Sequence, residues 1–368
     1  MKVVTLFGTR PEIIRLSCVI RQLDLFCEHV LIHTGQNYDT NLSDIFFQEM
    51  GVRPPDIHLG IQATNFADQL GRIVAQAGEV LSQIKPDRLL VLGDTNSALA
   101  AIVAARMGIP VYHMEAGNRC YDDRVPEEIN RRIVDHCSNI LMPYTHRSKE
   151  NLVREGIERE RIYVIGNPIF EVLNTFAPQI EASTVFARFQ VESGAYFLAT
   201  LHRSENVDAP GRLRQFLEGL SSVADSYQQP LLLSVHPRTA SQLERHGLHP
   251  LSQRVRLIEP LGFFDFVKLE QNARVVLSDS GTVQEECAIF NIPNVTLRDV
   301  TERPETIECG SNILSGGNPK DILRGVELSL GLSSRWTPPS DYLVNNVASI
   351  VTRIVLSHLS IRKHSSGY

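Results

Sequence analysis

The sequence predicts an α/β protein with two doubly wound, Rossmann-like domains, each built on a sheet of parallel strands. Short apolar runs alternate with segments of helical periodicity along most of the chain, which indicates a repeated strand–helix pattern. The runs are apolar at consecutive positions, as expected for strands covered by helices on both faces. The alternation pauses at Gly166-Asn167-Pro168 and begins again after residue 190, which indicates a boundary between two domains.

We expect the first domain to span residues 1–167, the second residues 168–340, and a C-terminal helix within 341–362 to return to the first domain. The two domains are expected to face each other across a cleft. Strands of the first domain are predicted at residues 2–8, 30–35, 88–94, 110–115, 139–142 and 162–165. Strands of the second domain are predicted at residues 196–201, 231–235, 255–258, 274–277, 294–297 and 312–314.

The first strand is followed by a glycine turn and the start of a helix. Thr9-x-x-Glu12 is a capping-box pattern, and Pro11 suits a first helical turn. A helix N-terminus attracts anions through its unpaired N–H groups and its dipole, and Arg10 adds guanidinium donors. We therefore interpret Arg10 as an anion-binding residue. The alternative is a solvated arginine beside an ordinary helix cap.

Composition and charge limit the partners and cofactors of the chain. It has 368 residues and a net charge of −6, which argues against nucleic acid as the main partner. The six cysteines include no C-x-x-C pair and no zinc spacing, so we expect reduced thiols, no metal and a cytoplasmic location. No apolar run is long enough to cross a membrane, and the N-terminus resembles a strand rather than a signal peptide. Neither domain has a G-x-G-x-x-G loop after its first strand, so no dinucleotide cofactor is expected.

Three carboxylates stand where an α/β sheet binds its ligands. Asp94 and Glu115 each end an apolar run, and Glu127 opens the next predicted helix. Because ligands of open α/β sheets collect beyond the carboxyl ends of the strands, we interpret these acids as proton-transfer groups. The alternative is that they only cap helices or pair with nearby arginines such as Arg124 and Arg131.

The second domain offers groups suited to a phosphorylated ligand. His202 follows its first strand, where it can donate to a phosphate or transfer a proton. Ser280-Gly281-Thr282 stands between a strand and a helix, where backbone, hydroxyls and helix dipole favour a phosphate. Glu286, one turn into that helix, suits the hydroxyls of a ribose. These positions predict a nucleotide-linked substrate, although Ser-Gly-Thr alone is equally compatible with a helix cap.

Seven motifs in order resemble the non-hydrolysing UDP-N-acetylglucosamine 2-epimerase family. They are Gly8-Thr9-Arg10-Pro11-Glu12, Gly93-Asp94-Thr95, Glu115-Ala116-Gly117, Pro126-Glu127-Glu128-x-Asn130-Arg131, His202-Arg203-x-Glu205-Asn206, Asp279-Ser280-Gly281 and Thr301-Glu302-Arg303-Pro304-Glu305. The resemblance covers nearly the whole chain and implies a glycosyltransferase-B-like fold. It also implies UDP and a UDP-linked 2-acetamido sugar as partners, and we expect a homodimer.

The resemblance assigns roles to individual residues. It implies catalytic positions at Asp94, Glu115, Glu127 and His202. It implies substrate contacts at Arg10, Phe266, Ser280, Gly281, Thr282, Glu286 and Arg303, and a further one at Arg15. Arg15 stands where the UDP-N-acetylglucosamine enzymes usually have lysine, and Leu261 stands where a polar residue near the uracil is expected. These departures bear on the identity of the sugar more than on the type of reaction.

Three local strings resemble a sub-branch of the family. They are His33-Thr34-Gly35-Gln36-Asn37-Tyr38-Asp39, His113-Met114-Glu115-Ala116-Gly117-Asn118-Arg119-Cys120 and Arg124-Val125-Pro126-Glu127-Glu128. The sub-branch makes UDP-N-acetyl-L-fucosamine by 2-epimerising UDP-2-acetamido-2,6-dideoxy-L-talose, a precursor for bacterial O-antigen and capsule. UDP-N-acetylmannosamine is the product implied by the wider family. A hydrolysing 2-epimerase, a glycosyltransferase of the same fold and a nucleotide-sugar sensor are alternative interpretations of the same residues.

Overall fold

The structure, a computed structural model, describes residues 1–35, 46–332 and 335–358 of the chain. Contacts between residues divide the chain into two compact units. Unit 1 consists of Met1–Asn174 together with the segment from Asp341 onward, and unit 2 consists of Thr175–Ser340. Each unit contains a six-stranded parallel sheet with helices, so the predicted α/β class with two doubly wound domains is confirmed.

Unit 1 has the strand order β3-β2-β1-β4-β5-β6. Its strands are β1 (Lys2–Phe7), β2 (Glu28–His33), β3 (Ile57–His58), β4 (Arg88–Leu92), β5 (Val111–Met114) and β6 (Ile140–Met142). Its helices up to the boundary are α1 (Arg10–Phe26), α2 (Phe66–Ile84), α3 (Ala101–Arg106), α4 (Pro126–Cys137), α5 (His146–Arg154) and α6 (Pro168–Thr175). Apolar side chains of β1 and β4 pack with those of α2 and α3 in one core, because these strands are apolar at consecutive positions.

One strand predicted in unit 1 is wrong. Residues 162–165 run beside β6, where the Tyr163 N–H donates to the Leu141 carbonyl (2.9 Å), but only one bridge forms, between Leu141 and Ile162. The sixth strand is instead β3, which pairs with β2 at the other edge of the sheet. A strand of two residues is too short to show a periodic pattern in the sequence.

Unit 2 repeats the arrangement with the strand order β12-β11-β10-β7-β8-β9. Its strands are β7 (Phe197–Leu201), β8 (Leu231–Val235), β9 (Val255–Ile258), β10 (Val275–Ser278), β11 (Asn294–Thr296) and β12 (Asn312–Leu314). Its helices are α7 (Ala177–Glu181), α8 (Val185–Phe189), α9 (Ser204–Val207), α10 (Pro210–Tyr227), α11 (Pro237–His246), α12 (Phe263–Glu270), α13 (Gly281–Phe290), α14 (Pro304–Glu308) and α15 (Pro319–Gly331). Phe197 and Leu198 of β7 enter two different cores, one on each face of the sheet.

The C-terminal helix α16 (Val347–Leu356) packs against α1 of unit 1. This agrees with the expectation that a C-terminal helix returns to the first domain. The Ala348 N–H donates to the Glu171 carboxylate (2.7 Å), and Arg88 donates to the Val355 carbonyl and to the Ser357 carbonyl (2.8 Å). Residues 359–362 of the predicted helix lie outside the described residues. Across the parts of the chain that the structure describes, no helix combines the length and apolar character needed to span a bilayer.

The strand order of each sheet reverses at one point, and four of the predicted site residues follow the strands that flank it. In unit 1 the reversal lies between β1 and β4, and in unit 2 it lies between β7 and β10. In open parallel sheets, ligands bind beyond the carboxyl ends of the strands at such a reversal. Arg10 and Asp94 follow the flanking strands of unit 1, and His202 and Ser280 follow those of unit 2.

Candidate active site

Asp94 lies in the turn after β4 and is fixed by helix α4. The turn begins at Gly93, whose φ of +70° is readily adopted only without a side chain. Arg131 donates from Nε to Asp94 Oδ2 (2.8 Å), and its Nη2 lies 2.7 Å from the same oxygen. Asn130 donates to the Asp94 carbonyl (3.0 Å). Asp94 keeps 22% of its side chain exposed, so the carboxylate is anchored on one side and accessible on another.

Glu115 lies in the turn after β5 with an unusual backbone conformation. Its φ is +64°, a left-handed conformation that costs free energy for a residue with a side chain. Its carboxylate is buried and accepts hydrogen bonds from Arg15 and from Asn118 Nδ2 (3.3 Å). A Cβ placed on Gly93 would lie 3.7 Å from Glu115 Oε2, so this carboxylate lies against the turn that carries Asp94.

Glu127 is the second residue of α4 and is half-buried. The three arginines near it in the sequence each pair with another carboxylate: Arg124 with Asp122 (2.6 Å), Arg131 with Glu128 (2.7 Å) and Arg132 with Asp123 (3.0 Å). The same helix presents Asn130 and Arg131 to Asp94. The helix that carries Glu127 is therefore bonded directly to the turn that carries Asp94.

Helix α1 begins beside the turn that carries Asp94, and Glu12 connects this helix to that turn. Glu12 is buried and accepts hydrogen bonds from the Gly8 N–H (3.1 Å), the Thr9 hydroxyl (2.7 Å) and the Thr95 hydroxyl (3.2 Å). Burial raises the pKa of Glu12 to about 7, although these hydrogen bonds favour its ionised form. The predicted capping box is half formed: Glu12 reaches back as expected, but the Thr9 side chain makes no capping bond. Arg10 lies over the Phe46 ring at 5.4 Å.

In unit 2, Asp279 orients His202. Asp279 Oδ1 lies 2.9 Å from His202 Nδ1, and the carboxylate also accepts the N–H groups of His202 (3.1 Å) and Arg203 (3.0 Å). Burial alone would raise the pKa of Asp279, but the charge and hydrogen bonds of His202, with the Arg203 N–H, hold it well below its usual range. The imidazole is therefore fixed through Nδ1 while 41% of the side chain stays exposed.

The segment Ser280-Gly281-Thr282 forms the start of α13. The Ser280 and Thr282 hydroxyls lie 2.9 Å apart, and the Ser280 N–H donates to Ser278 Oγ (3.0 Å). A Cβ on Gly281 would approach Glu302 Oε1 to 2.9 Å, which is closer than real Cβ contacts. A side chain here would therefore have to displace the Glu302 carboxylate, and the helix start presents N–H groups that favour an anion.

Arg303 lies beside this helix start. A Cβ on Gly281 would be 3.5 Å from its guanidinium carbon. Arg303 is buried and donates from Nε to Glu285 Oε1 (2.6 Å), and its Nη1 lies 3.3 Å from Glu302 Oε1. Two buried carboxylates thus hold the guanidinium in a fixed orientation, as a preorganised anion site requires.

Glu286 and Phe266 lie in the same unit, on α13 and α12. Glu286 is buried, and the neighbouring Cys287 contributes to an apolar core. Phe266 is partly buried against that core, which also contains Leu261. The departure from the expected polar residue at Leu261 is thus accommodated by apolar packing.

The structure brings the predicted residues together in two groups. Unit 1 groups Asp94, Glu115, Glu127, Arg10 and Arg15 around the turns after β1, β4 and β5; unit 2 groups His202, Ser280, Gly281, Thr282 and Arg303 around the turns after β7 and β10, with Glu286 and Phe266 on nearby helices. Sequence reasoning predicted Glu12 as a capping residue but missed its bond to Thr95, and it missed the supporting roles of Asp279 and Glu285. Asp279 stands within the Asp279-Ser280-Gly281 motif beside a strand end, which was the available signal. Among the described residues, no cluster of three or more His, Cys, Asp or Glu side chains is arranged to hold a metal.

Comparison with known proteins gives one consistent result. A UDP-N-acetylglucosamine 2-epimerase family model matches residues 22–355. The UDP-N-acetylglucosamine 2-epimerase of Methanocaldococcus jannaschii is 42% identical over 92% of this chain and 95% of its own length. The UDP-2,3-diacetamido-2,3-dideoxy-D-glucuronate 2-epimerase of Pseudomonas aeruginosa is 38% identical over 90% of this chain and 93% of its own.

A solved structure supports the same relationship. The crystal structure of the M. jannaschii UDP-GlcNAc 2-epimerase in complex with UDP-GlcNAc and UDP superposes with a TM-score of 0.92 at 40% identity. The superposition covers 96% of this chain and 99% of that one. A family model that matches most of the chain and relatives alike over nearly their whole length lead to one conclusion. This chain belongs to the UDP-N-acetylglucosamine 2-epimerase family.

Proposed function

We propose that this protein is an isomerase that inverts C2 of a UDP-linked 2-acetamido sugar by eliminating UDP and adding it back. The observation that carries the proposal is the contact between the Glu115 carboxylate and the turn of Asp94. Two carboxylates carried by neighbouring strand-end turns can serve as the proton acceptor and donor that inversion at a carbon requires. Family membership and the names of the relatives support the type of reaction.

The chemistry follows from the weak acidity of the C2 hydrogen. When the C1–O bond to UDP breaks, C1 becomes oxocarbenium-like and the C2 hydrogen becomes acidic. A carboxylate removes that proton, which leaves a C1–C2 alkene and free UDP. UDP then adds back at C1 while a proton arrives on the other face of C2, so that atoms and charge balance. Positioned proton transfer contributes about 10²–10⁴-fold to the rate.

We assign the UDP moiety to unit 2. The diphosphate is bound by Ser280-Gly281-Thr282 with Arg303 and His202, and Glu286 accepts the ribose hydroxyls. The buried partners of Arg303 and His202 support this assignment, because they fix both side chains before the ligand arrives. Helix N-termini contribute about 0.3–2 kcal/mol each to anion binding. Asp94, Glu115 and Glu127 of unit 1 share the proton transfer, and Arg10 contributes to diphosphate binding.

We further propose that the substrate is the nucleotide of 2-acetamido-2,6-dideoxy-L-talose and the product UDP-N-acetyl-L-fucosamine, for bacterial surface polysaccharide. The resemblance at residues 113–120 and 124–128 supports this assignment. The remaining string, residues 33–39, lies partly outside the described residues, since residues 36–39 are not described. A cytoplasmic location is supported by six cysteines that are all free thiols.

One experiment tests the function and separates it from the alternatives. The protein is incubated in heavy water with the L-talose nucleotide, without any acceptor, and C2 is followed by NMR. We expect inversion at C2 with deuterium incorporated there, intact UDP-sugar at equilibrium, and slower turnover of UDP-N-acetylglucosamine. Release of free sugar and UDP in equal amounts would indicate a hydrolysing enzyme. No reaction until an acceptor is added would indicate a glycosyltransferase.

A further inference from the structure

A network of hydrogen-bonded polar side chains lies beneath the ends of β4 and β5. Glu155, directly after α5, accepts two hydrogen bonds from Arg119, from Nε (2.9 Å) and Nη2 (2.7 Å). Arg119 Nη2 also lies 2.7 Å from Asp135 Oδ2, and Asp135 Oδ1 lies 2.8 Å from His113 Nδ1. The proposed mechanism uses none of these four residues.

His113, on β5, extends this network to the turn of Asp94. Its Nε2 lies 2.8 Å from the Gly93 carbonyl oxygen. A carbonyl oxygen only accepts, so this nitrogen carries a hydrogen and donates it. The imidazole therefore bridges Asp135 on one side and the backbone just before Asp94 on the other. The side chains of His113 and Asp135 are fully buried.

Asp135, on α4, connects the same network to the turn of Glu115. Its Oδ2 accepts the Gly117 N–H at 3.2 Å. Gly117 has a φ of +80°, and a Cβ there would overlap the Ser148 carbonyl oxygen, so this turn packs tightly against α5. Burial alone would raise the pKa of Asp135, but the hydrogen bonds and charges of His113 and Arg119 hold it below its usual range.

A single buried carboxylate thus fixes two turns at once. It holds the turn of Asp94 through His113 and the turn of Glu115 through Gly117. Glu115 needs such support, since its left-handed backbone conformation persists only where its surroundings impose it. Buried charges are costly unless fully hydrogen-bonded, and an apolar core could stabilise the fold without them. The arrangement therefore points to a requirement for position rather than stability.

We propose that His113 and Asp135 are positioning residues that set the separation and orientation of Asp94 and Glu115 for proton transfer at C2. The inference rests on the proposed function, because both carboxylates are assigned to that step. Both side chains are fully buried, so we expect neither His113 nor Asp135 to contact the substrate. Their effect should therefore fall on the chemical step, kcat, and leave the binding of UDP in unit 2 unchanged.

The chain contains a matched control for the test. His29 on β2 is another histidine with a buried side chain, bonded through Nδ1 to Asp24 (2.7 Å) and through Nε2 to the Thr5 hydroxyl (2.8 Å). It lies near the amino end of its strand, away from the turns that carry the carboxylates. His29→Gln should thus remove a comparable buried bridge without displacing Asp94 or Glu115.

The test compares His113→Gln, Asp135→Asn and His29→Gln with the wild type. The amide of glutamine presents both polar atoms at one end and cannot bridge opposite partners as imidazole does. We expect kcat to fall at least tenfold in His113→Gln and in Asp135→Asn, with UDP affinity by calorimetry within twofold of wild type. We expect His29→Gln to lower the thermal midpoint while keeping kcat. The isosteric Asp135→Asn keeps the test open if His113→Gln does not fold.

The outcomes separate this inference from the proposed function. Wild type that exchanges hydrogen at C2, with variants of normal kcat, would overturn the inference and leave the function intact. Equal loss of kcat in His113→Gln and His29→Gln, or a parallel loss of UDP affinity, would show a general structural role and also overturn it. Wild type that exchanges no hydrogen at C2 would remove the proposed function and the inference together.

Discussion

Arg15 and Glu115 form a buried ion pair although they stand 100 residues apart in the chain. Only 3% of the Arg15 side chain and 8% of the Glu115 side chain are exposed. Arg15 also lies over the Tyr144 ring at 5.5 Å, so that its guanidinium is held by charge and by packing. The residue that departs from the usual lysine is therefore the direct partner of a proposed proton-transfer carboxylate.

Replacing Arg15 should reveal the dependence of Glu115 on this partner. Arg15→Met leaves a buried carboxylate without its counter-charge, and we expect it to lower the free energy of unfolding by about 3–5 kcal/mol. Arg15→Lys keeps the charge and should lose much less, although its ammonium lacks the planar fork. Denaturant unfolding of both variants measures the difference. A loss below about 1 kcal/mol in Arg15→Met would show that the pair does not stabilise the fold.

Glu12 gives a prediction about pH. Burial raises its pKa from 4.5 to about 7, so the folded state favours the protonated form while the unfolded chain ionises freely. The contribution of Glu12 to the free energy of unfolding is present in full below about pH 4.5 and is lost as the pH rises to about 7. The total loss is roughly 3 kcal/mol. Glu12→Gln cannot ionise and should lack this dependence. Unfolding of both proteins at pH 5 and pH 7.5 compares the two slopes, and equal slopes would contradict the assignment.

The strand ends that carry the site were predictable because the strands are mostly apolar at consecutive positions. Leu89 to Leu92 and Val111 to Met114 are buried on both faces of the sheet, so each run stops where the strand stops. Asp94 and Glu115 follow directly, and their placement needed only the rule for ligands of parallel sheets. The same reasoning placed His202 and Ser280 at the ends of β7 and β10.

The supports of the site were not predictable in the same way. Asp135 lies on the last turn of an amphipathic helix, where the sequence gives no sign that it accepts hydrogen bonds from His113 and Gly117. The Arg15–Glu115 pair likewise joins distant positions that no periodic pattern relates. Such contacts depend on tertiary packing, and a single sequence reports local preference and burial only.

The helix start at Gly281 gives a prediction about UDP. A Cβ there would press on Glu302, whose carboxylate lies 2.8 Å from Arg298 and cannot move freely. Overpacking costs about 1–3 kcal/mol, so we expect Gly281→Ala to weaken UDP binding roughly tenfold. A Cβ added to Gly211, in α10, would meet no atom within 4 Å, and Gly211→Ala therefore serves as the control. Calorimetry showing equal UDP affinity in both variants would exclude this segment from the nucleotide site.

The three carboxylates of unit 1 give the most demanding set of variants. Asp94→Asn, Glu115→Gln and Glu127→Gln keep the shape of each side chain but cannot transfer a proton. We expect each to lower kcat at least about 100-fold while UDP binding persists. Glu79→Gln, at an exposed position on α2, should leave kcat unchanged. If Glu127 only caps the helix or pairs with an arginine, Glu127→Gln would instead lose about 0–1 kcal/mol of stability at near-normal kcat. Near-normal kcat in all three variants would contradict the proposed proton transfer.

The most direct test of the account is whether the C1–O bond to UDP breaks during inversion at C2. The substrate is prepared with ¹⁸O in the bridge between the sugar and the β-phosphate, and the reaction is run in heavy water. Elimination frees the β-phosphate to rotate, so we predict that the label moves into the non-bridging positions while deuterium enters C2. Inversion with deuterium at C2 and the label wholly retained in the bridge would contradict elimination and re-addition of UDP.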